Sequence, residues 1–265
     1  MDQINLFELT MQTVEINKPI RLIELFGGVG SQSMALRNLG AEFEHYRLIE
    51  FDKYPVASYN AIHGTNFEPM DITLTKGVDL GIEDVEHFTY LLTYSFPCQD
   101  LSIAGKQAGM EKGTGTRSGL LWEVERLLNE VENLPQILLM ENVPMVHAEQ
   151  NRVHFEQWID FLHSKGYSNY WQDLNGADFG VAQHRERCFM VSILGDYYFK
   201  FPQPMKLPYC MADYLEESVD ERYYINSEKA LNLIQELVDN GTLPDTIPTN
   251  ERTNERTNER TNGNI

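Results

Sequence analysis

Cysteine and long apolar runs are both scarce in this sequence. The chain of 265 residues has three cysteines, Cys98, Cys188 and Cys210, and none of them forms a C-x-x-C pair. The pattern therefore predicts neither a disulfide framework nor a zinc site. No apolar run approaches the roughly 18 residues of a membrane helix, and the polar first residues do not resemble a secretory signal. We expect a protein of the reducing cytoplasm, with no membrane and no metal as a partner.

Positive charge is also in short supply. Lysine and arginine together number 21 against 40 aspartates and glutamates, which gives a formal net charge of −19. This balance disfavours a protein that holds a polyanion over a broad surface, because phosphate neutralisation by basic side chains dominates non-specific affinity for nucleic acids. Net charge says little about one local cleft, so any nucleic-acid chemistry must be argued from local motifs.

Short apolar runs alternate with helical patterns through most of the chain. An apolar fraction of 42% is typical of a globular protein, and the length allows one large domain with a small appendage. Strands that alternate with helices predict a doubly wound, Rossmann-like α/β sheet that binds its ligand at the carboxyl ends of the strands. The predicted strands are 20–26, 46–50, 90–94, 136–140 and 187–194, and the predicted helices are 31–39, 119–131, 153–165 and 228–238.

Composition also predicts the domain boundaries. Residues 19–200 carry the alternating pattern, and 1–18 precede it as an extension. The pattern weakens over 201–239, which we expect to form only the start of a second small region. Residues 240–265 consist largely of a Thr-Asn-Glu-Arg repeat without apolar residues to bury, so this tail is expected to be disordered.

A glycine-rich turn follows the first predicted strand and opens a helix. In Phe26-Gly27-Gly28-Val29-Gly30 the glycines allow a tight turn and close approach of a ligand to the backbone. Glu50, at the end of the second strand, can accept both ribose hydroxyls of a nucleoside, and Asp71 can reach an adenine amino group. The alternative is a structural turn with a solvated Glu50. Ser33 replaces the third glycine of G-x-G-x-x-G, so a nicotinamide cofactor is less favoured.

Two further motifs follow later strands. Pro97-Cys98-Gln99 places a cysteine on a turn, where partial exposure favours the nucleophilic thiolate; the alternative is a small buried apolar residue. Glu141-Asn142 also ends a strand, so Glu141 is expected to share the crevice with Cys98 and to serve as an acid if burial raises its pKa. The segment 183–187 is predicted to alternate, with Gln183, Arg185 and Arg187 on one face, which fits a ligand clamp or a solvated edge strand equally well.

Taken in chain order, these segments resemble the DNA cytosine-5 methyltransferase family. The resemblance covers roughly residues 20 to 200, and the ordered series is far more specific than any single motif. The series comprises Phe26-Gly27-Gly28-Val29-Gly30, Glu50, Asp71, Pro97-Cys98-Gln99, Gly119-Leu120-Leu121, Glu141-Asn142-Val143 and Gln183-x-Arg185-x-Arg187.

The resemblance implies an S-adenosylmethionine-dependent enzyme that acts on double-stranded DNA. Cys98 would attack C6 of a cytosine swung out of the duplex, Glu141 would hold the base and protonate N3, and Arg185 would contact the carbonyl oxygen of the base. An enzyme that methylates an exocyclic amino group would carry Asp/Asn-Pro-Pro-aromatic in place of the Cys98 motif. The implied cofactor-binding residues are Phe26, Gly27, Gly28, Gly30, Glu50, Asp71, Pro97 and Leu121, and the implied substrate-binding residues are Gln99, Asn142, Gln183 and Arg187.

The sequence also departs from this family. Members usually continue after the strand at Arg187 with a target-recognition domain and two further conserved segments, and none of these is recognisable here. One expectation is therefore a subunit of a split enzyme whose partner polypeptide carries the recognition domain, and another is a truncated, inactive product. A nicotinamide oxidoreductase, a non-catalytic regulator and a tRNA methyltransferase, as some relatives are, remain alternatives. A role in restriction-modification or in phage self-modification would follow for an active enzyme.

Overall fold

A computed structural model of the chain describes residues 12–98, 110–113, 118–205, 211–216, 219–223 and 227–242. These residues form eight strands and five α-helices, joined by loops and short 3-10 turns. The strands are β1 (Gln12–Thr13), β2 (Ile20–Leu25), β3 (Phe43–Ile49), β4 (Thr89–Tyr94), β5 (Ile137–Asn142), β6 (Tyr167–Asn175), β7 (Glu186–Leu194) and β8 (Tyr197–Tyr198). The helices are α1 (Ser31–Asn38), α2 (Lys53–His63), α3 (Leu121–Glu130), α4 (Arg152–Ser164) and α5 (Glu228–Asp239).

Six of the strands form one sheet in the order β3-β2-β4-β5-β7-β6. The first four are parallel to one another, and β7 runs antiparallel to β5. The two short strands, β1 and β8, pair separately. Parallel neighbours require crossover connections, and α1, α2 and α3 lie in those connections along the chain. The carboxyl ends of β2, β3, β4 and β5 therefore share one edge of the sheet.

Helices cover both faces of this sheet, as a doubly wound fold requires. On one face, Ile23, Leu92 and Met140 belong to the main core together with Val124 of α3 and Trp158 of α4. The alternate strand residues, among them Leu22 and Leu91, form a smaller cluster with Leu36 of α1, and α2 packs Val56 and Tyr59 against Leu48 of β3. Alternation along the strands thus divides the core into two layers.

The predicted elements are confirmed with shifted ends. Each of the five predicted strands and four predicted helices has a counterpart whose bounds differ by at most three residues. Four of the named helices and strands were not predicted, namely α2, β6 and the two short strands β1 and β8. Helix α2 begins with its Asp52 cap, which accepts a hydrogen bond from Tyr54 N, and ends at Gly64 in the left-handed region. Among the described helices, none is long and apolar enough to span a membrane.

The chain divides into two compact units. The first extends to Leu174 and resumes with Glu186–Gln203, and the second consists of Asn175–Arg185 with residues from Pro204 onward. These units differ from the predicted division at 200, because 175–185 group with the later part of the chain. Of the predicted N-terminal extension the structure describes residues 12–18, and of the predicted repeat tail it describes only 240–242.

Candidate active site at the carboxyl edge of the sheet

One row of paired residues across four neighbouring strands, the register row, brings the predicted site residues of the first unit to a common edge of the sheet. Leu25 of β2 pairs with Ile49 of β3 and with Tyr94 of β4, and Tyr94 pairs with Met140 of β5. Each of these residues stands directly before a residue at the crevice. Since neighbouring strands lie about 4.8 Å apart, the residues that follow the row stand side by side at this edge, where a doubly wound fold places its ligand crevice. In strand order they are Glu50, Phe26, Ser95 and Glu141.

The glycine turn after β2 leaves no room for side chains beneath it. A Cβ atom at Gly27 would lie 2.5 Å from Leu48 Cδ1 and 3.0 Å from Glu24 Cβ. Gly30 adopts φ 81°, and a Cβ there would overlap the rings of His63 and Tyr59. Gly28 also has a positive φ, 56°, but a Cβ at this position would meet no atom within 4 Å. The turn is therefore packed below and open above, as a backbone surface for a ligand must be.

Glu50 joins the turn to the end of β3. Its Oε2 accepts a hydrogen bond from Gly28 N at 3.1 Å, and its Oε1 accepts one from Asp52 N at 3.0 Å. Each carboxylate oxygen keeps a second lone pair for a ligand hydroxyl. Met70 N donates to Glu50 O at 2.8 Å, which brings the following Asp71 to the same edge. Asp71 Oδ1 accepts from Thr73 N and Thr73 Oγ1, so one carboxylate oxygen caps a turn.

A buried polar network supports the glycine turn from below. The Oε2 atom of Glu24, a fully buried residue, accepts from Ser33 Oγ at 2.6 Å and from Tyr59 Oη at 2.5 Å. The Tyr59 hydroxyl also lies 2.8 Å from His45 Nδ1, and His63 Nε2 lies 3.0 Å from Val29 O of the turn. Burial raises the pKa of Glu24 above its ordinary value, and the hydrogen bonds from Ser33 and Tyr59 only partly oppose this shift. Sequence analysis missed this network, although Glu24 inside an apolar strand is itself a signal of a buried carboxyl.

Cys98 lies on the loop after β4, and two contacts fix the start of that loop. Asn142 Nδ2, at the end of β5, donates to Phe96 O at 3.0 Å, and Ser118 Oγ donates to Pro97 O at 2.8 Å. Cys98 itself is partly exposed and belongs to no disulfide. Because β4 and β5 are adjacent and in register, the Cys98 loop and Glu141 follow neighbouring strand ends. Gln99 lies outside the described residues.

Glu141 pairs with a cation of the neighbouring strand. Arg187 Nε lies 3.0 Å from Glu141 Oε1, and both side chains are about one-fifth exposed, 21% for Arg187 and 23% for Glu141. The two residues stand on β7 and β5, whose register places Glu141 opposite Phe189. The second oxygen of this carboxylate, Oε2, can accept further hydrogen bonds. Asn142, by contrast, is 3% exposed, so the structure gives its amide a positioning contact with Phe96, and its contact with substrate stays a prediction.

The segment that precedes β7 is not part of that strand, so the prediction of one alternating face over 183–187 is wrong. Strand β7 begins at Glu186, and Arg185 belongs to the second unit, where Asn175 Oδ1 accepts from Arg185 N at 3.0 Å. Gly176 N donates to Arg185 O at 2.9 Å, and Gln183 N donates to Val181 O. These bonds form a tight turn that replaces the strand ladder. The side chains of Gln183 and Arg185 are exposed.

Two residues at this edge differ in character from their sequence-based interpretation. Leu121, expected to bind the cofactor, is fully buried in the main core, and its cofactor contact stays a prediction. Phe51, which sequence analysis did not select, follows Glu50 directly and is 75% exposed. An exposed aromatic side chain beside a carboxylate that is predicted to bind ribose offers a flat surface for a purine ring. Its position after Glu50 is the signal that could have found it.

The fold and this edge define an α/β protein of the nucleoside-cofactor class. The chain matches the family model of the C-5 cytosine-specific DNA methylases over residues 20–265. It is 33% identical over 258 residues to the type II methyltransferase M2.ScrFI of Lactococcus lactis subsp. cremoris, a match that covers 79% of this chain and 71% of that protein. It is 34% identical over 272 residues to the orphan methyltransferase M.SssI of Spiroplasma monobiae, with 82% and 70% covered.

Solved structures agree on the fold. The S. pombe Dnmt2 methyltransferase superposes with a TM-score of 0.64 at 23% identity and covers 83% of this chain, which spans 66% of that chain. A putative DNA modification methyltransferase encoded within an E. coli prophage gives a TM-score of 0.60 at 19% identity, with 78% of this chain and 58% of that chain covered.

The chain belongs to the C-5 cytosine-specific DNA methylase family. Its enzyme class is DNA (cytosine-5-)-methyltransferase, whose methyl donor is S-adenosylmethionine. Membership excludes the nicotinamide oxidoreductase that the first glycine turn alone left open.

Proposed function

We propose that this chain methylates C5 of cytosine in DNA through a covalent adduct at Cys98. The observation that carries this proposal is the common register row. It sets Phe26, Glu50 and Glu141 at one edge, with the Cys98 loop between the cofactor side and Glu141. A nucleophile between a cofactor site and a carboxyl group is the arrangement that attack, methyl transfer and proton exchange on one base require.

The described residues fit S-adenosylmethionine. Gly27 and Gly30 allow no Cβ, whereas the space above Gly28 is open. We propose that the methionine part lies along Phe26–Gly30, that Glu50 accepts the ribose hydroxyls and that Asp71 receives the adenine amino group. Pro97 and Leu121 would border the same site, and Phe51 would contact the adenine face. When bound, the cofactor supplies an electrophilic methyl group.

The chemistry of the base depends on residues of this chain. The Cys98 thiolate adds to C6 and forms a C–S bond, and Glu141 delivers a proton to N3, so that the electron pair makes C5 nucleophilic. After C5 has received the methyl group, a base removes the C5 proton, the C–S bond breaks to restore the thiolate, and N3 returns its proton to Glu141. Arg187 holds the Glu141 carboxylate at 3.0 Å and thereby directs its other oxygen toward the base. Asn142 positions the Cys98 loop through Phe96 O.

The remaining predicted contacts are proposals of the same kind. Arg185 would contact the base carbonyl oxygen, and Gln99 and Gln183 would contact the DNA. The net charge of −19 supports a second polypeptide that carries the recognition domain and most of the phosphate contacts. We place the enzyme in the cytoplasm, in a restriction-modification system or in phage self-modification. A split-enzyme subunit, an inactive remnant and a tRNA methyltransferase are the competing functions.

Covalent trapping tests the proposal. The purified chain is incubated with labelled S-adenosylmethionine and mixed-sequence duplex DNA that contains 5-fluorocytosine, with Cys98→Ser as the control. Fluorine blocks the final elimination, so a competent enzyme accumulates as a covalent adduct. An adduct that disappears in Cys98→Ser supports the mechanism. Cofactor binding without an adduct supports a subunit or a remnant, and an adduct with tRNA in place of DNA supports the RNA alternative. Failure to bind the cofactor would overturn the catalytic assignment.

A further inference from the structure

Three potential metal ligands from separate elements lie close together near the end of β5. His147 closes the 3-10 turn Pro144–His147, Asp173 stands on β6 and Cys188 stands on β7. Their side-chain nitrogen, oxygen and sulfur atoms all lie within 4.8 Å of one another. In the part of the chain that the structure describes, this is the only group of three or more such residues that is compact enough to hold one ion.

We propose that His147, Asp173 and Cys188 form a binding site for a divalent transition metal of the zinc class. Imidazole, carboxylate and thiolate are the ligands that zinc and cobalt accept together, in tetrahedral geometry. The proposal is independent of the methyltransferase function, because its test measures metal binding alone.

The distances suit this geometry. His147 Nε2 lies 3.0 Å from Asp173 Oδ1 and 2.9 Å from Asp173 Oδ2. Ligand atoms about 2.0–2.3 Å from a tetrahedral metal lie roughly 3.3–3.6 Å apart. The His147 and Asp173 atoms therefore need to separate by about 0.5 Å, and the sulfur, which lies within 4.8 Å of both, needs to approach by up to about 1.3 Å. The fourth position would be open to water, since the side chains of His147 and Asp173 are 23% and 28% exposed.

Burial and charge favour a divalent ion over other occupants. Cys188 is fully buried, and the ring of Trp171 lies 4.6 Å from that of His147, with Phe155 beside both. One carboxylate and one thiolate balance the two charges of the ion, so the occupied site is neutral in these half-apolar surroundings. Cysteine binds a metal as the thiolate, so metal binding breaks the S–H bond of Cys188, forms the metal–sulfur bond and releases the proton to solvent.

Cysteine spacing could not predict this site. The ligands come from a turn and two strands, and they are separated by 26 and 15 residues, so no short motif marks them. The sequence expectation of no metal rested on the absence of C-x-x-C pairs, which says nothing about a site with one cysteine. In the described structure, His147 and Asp173 otherwise form an ion pair beside the thiol, and this plain ion pair is the competing explanation.

Cobalt titration distinguishes the two. The full chain carrying Cys98→Ser and Cys210→Ser, with Cys188 as its only thiol, is titrated with Co²⁺ under reducing conditions. We expect a thiolate-to-cobalt charge-transfer band that saturates at one ion per chain, with release of about one proton, and that Zn²⁺ removes. Adding Cys188→Ser should abolish the band, and His147→Gln or Asp173→Asn should weaken binding at least about tenfold.

The exposed His163 of α4 provides the matched control, since His163→Gln should leave the titration unchanged. Circular dichroism establishes whether each variant is folded. If the buried substitution Cys188→Ser prevents folding, His147→Gln, at a partly exposed position, still tests the site. Absence of the band in the variant with Cys188 alone, or a band that survives both His147→Gln and Asp173→Asn, would show that the cluster is an ion pair only.

Discussion

The proposed cofactor side and base side of the crevice differ in how their carboxyl groups are held. On the cofactor side, the glycine turn rests on a fully buried carboxyl, Glu24, whose oxygen accepts two hydrogen bonds. On the base side, Glu141 is held by a single partly exposed cation, Arg187. A buried network is costly to disturb and fixes one geometry, whereas a partly exposed pair can rearrange at small cost. We therefore expect the proposed cofactor site to be preformed and the proposed base site to be completed when substrate enters.

The sharpest test of this division is Glu141→Gln. Loss of the proton donor should lower the rate of methyl transfer by about 10²–10⁴-fold, which is the usual contribution of a general acid. The dissociation constant for S-adenosylmethionine should not change, because Glu141 lies across the crevice. Initial rates and calorimetric titration measure the two quantities, and Glu156→Gln, on an exposed part of α4, serves as control. Equal losses in rate and in cofactor affinity would mean that the cofactor side and the base side of the crevice are energetically coupled.

Alanine substitutions at Gly28 and Gly30, the two left-handed glycines of the turn, distinguish the packing below the turn from the space above it. Gly30→Ala brings a Cβ to 2.6 Å from a ring carbon of Tyr59. Together with the strain of a positive φ, this should lower the free energy of unfolding by roughly 2–5 kcal/mol. Gly28→Ala meets no neighbour and should cost only about 1–2 kcal/mol through backbone strain.

For the affinity for S-adenosylmethionine, Gly28→Ala should have a larger effect than Gly30→Ala. Gly28→Ala directs its methyl group into the open space and should weaken S-adenosylmethionine binding at least about tenfold, the equivalent of 1.4 kcal/mol of overpacking. Urea unfolding and calorimetry supply the measurements. Equal free energies of unfolding and equal dissociation constants for the two variants would contradict the division of the turn into a packed side at Gly30 and an open side at Gly28.

Tyr59→Phe tests the buried network itself. The variant loses the hydrogen bond to Glu24 Oε2 and the contact with His45 Nδ1. A hydrogen bond contributes about 0.5–1.5 kcal/mol to a neutral partner and about 1.5–3 kcal/mol to an ionised one, so the loss should lie between about 0.5 and 3 kcal/mol. We expect a loss of that size in urea unfolding. Tyr54→Phe, at a side chain that is 71% exposed, is the matched control and should change stability by less than about 0.5 kcal/mol. Equal stabilities for the two variants would contradict a supporting role for the network.

The smallest effect concerns pH. Burial raises the pKa of Glu24 above 4.5 in the folded protein, so the folded state holds this proton more tightly than the unfolded state. The contribution of Glu24 is therefore most favourable below pH 4.5 and diminishes as pH rises through the folded-state pKa. Glu24→Gln cannot ionise and lacks this dependence.

The difference in unfolding free energy between the natural chain and Glu24→Gln should thus decline as pH rises. Urea unfolding at a series of pH values from about 5 to about 8 provides the measurement. A constant difference across that range would mean that Glu24 titrates normally and that the surrounding hydrogen bonds offset its burial.

Sequence reasoning reached the parts of the molecule that depend on one segment at a time. Strands such as β4 are nearly continuous apolar runs, and a proline or glycine follows β2, β4, β5 and β7 within three residues, so both the sheet and its carboxyl edge could be predicted. Helix α2 was missed because Pro55 and scattered polar residues obscure its apolar face. Strand β6 was missed because it alternates poorly and contains Ser168 and Asn169.

Contacts between distant segments were beyond such reasoning. The bond from Asn142 to Phe96 O spans 46 residues, and that from Tyr59 to Glu24 spans 35. The alternation predicted over 183–187 failed because Asn175, eight residues earlier than Gln183, draws Arg185 N into a turn. Each of these depends on which segments the fold brings together, and spacing alone does not contain that information.

The register row has a consequence for how this chain can tolerate insertions and deletions. A residue removed from within β2, β4 or β5 would reverse the faces of everything that follows in that strand, because side chains alternate with a period of two. For β5, the carboxyl of Glu141 would then point to the layer of α3 and α4. Surface loops at the opposite edge of the sheet can change length at small cost, whereas the number of residues from core to crevice is fixed. Single-residue deletion scanning should therefore reveal the strands as narrow intolerant windows that end at Leu25, Tyr94 and Asn142.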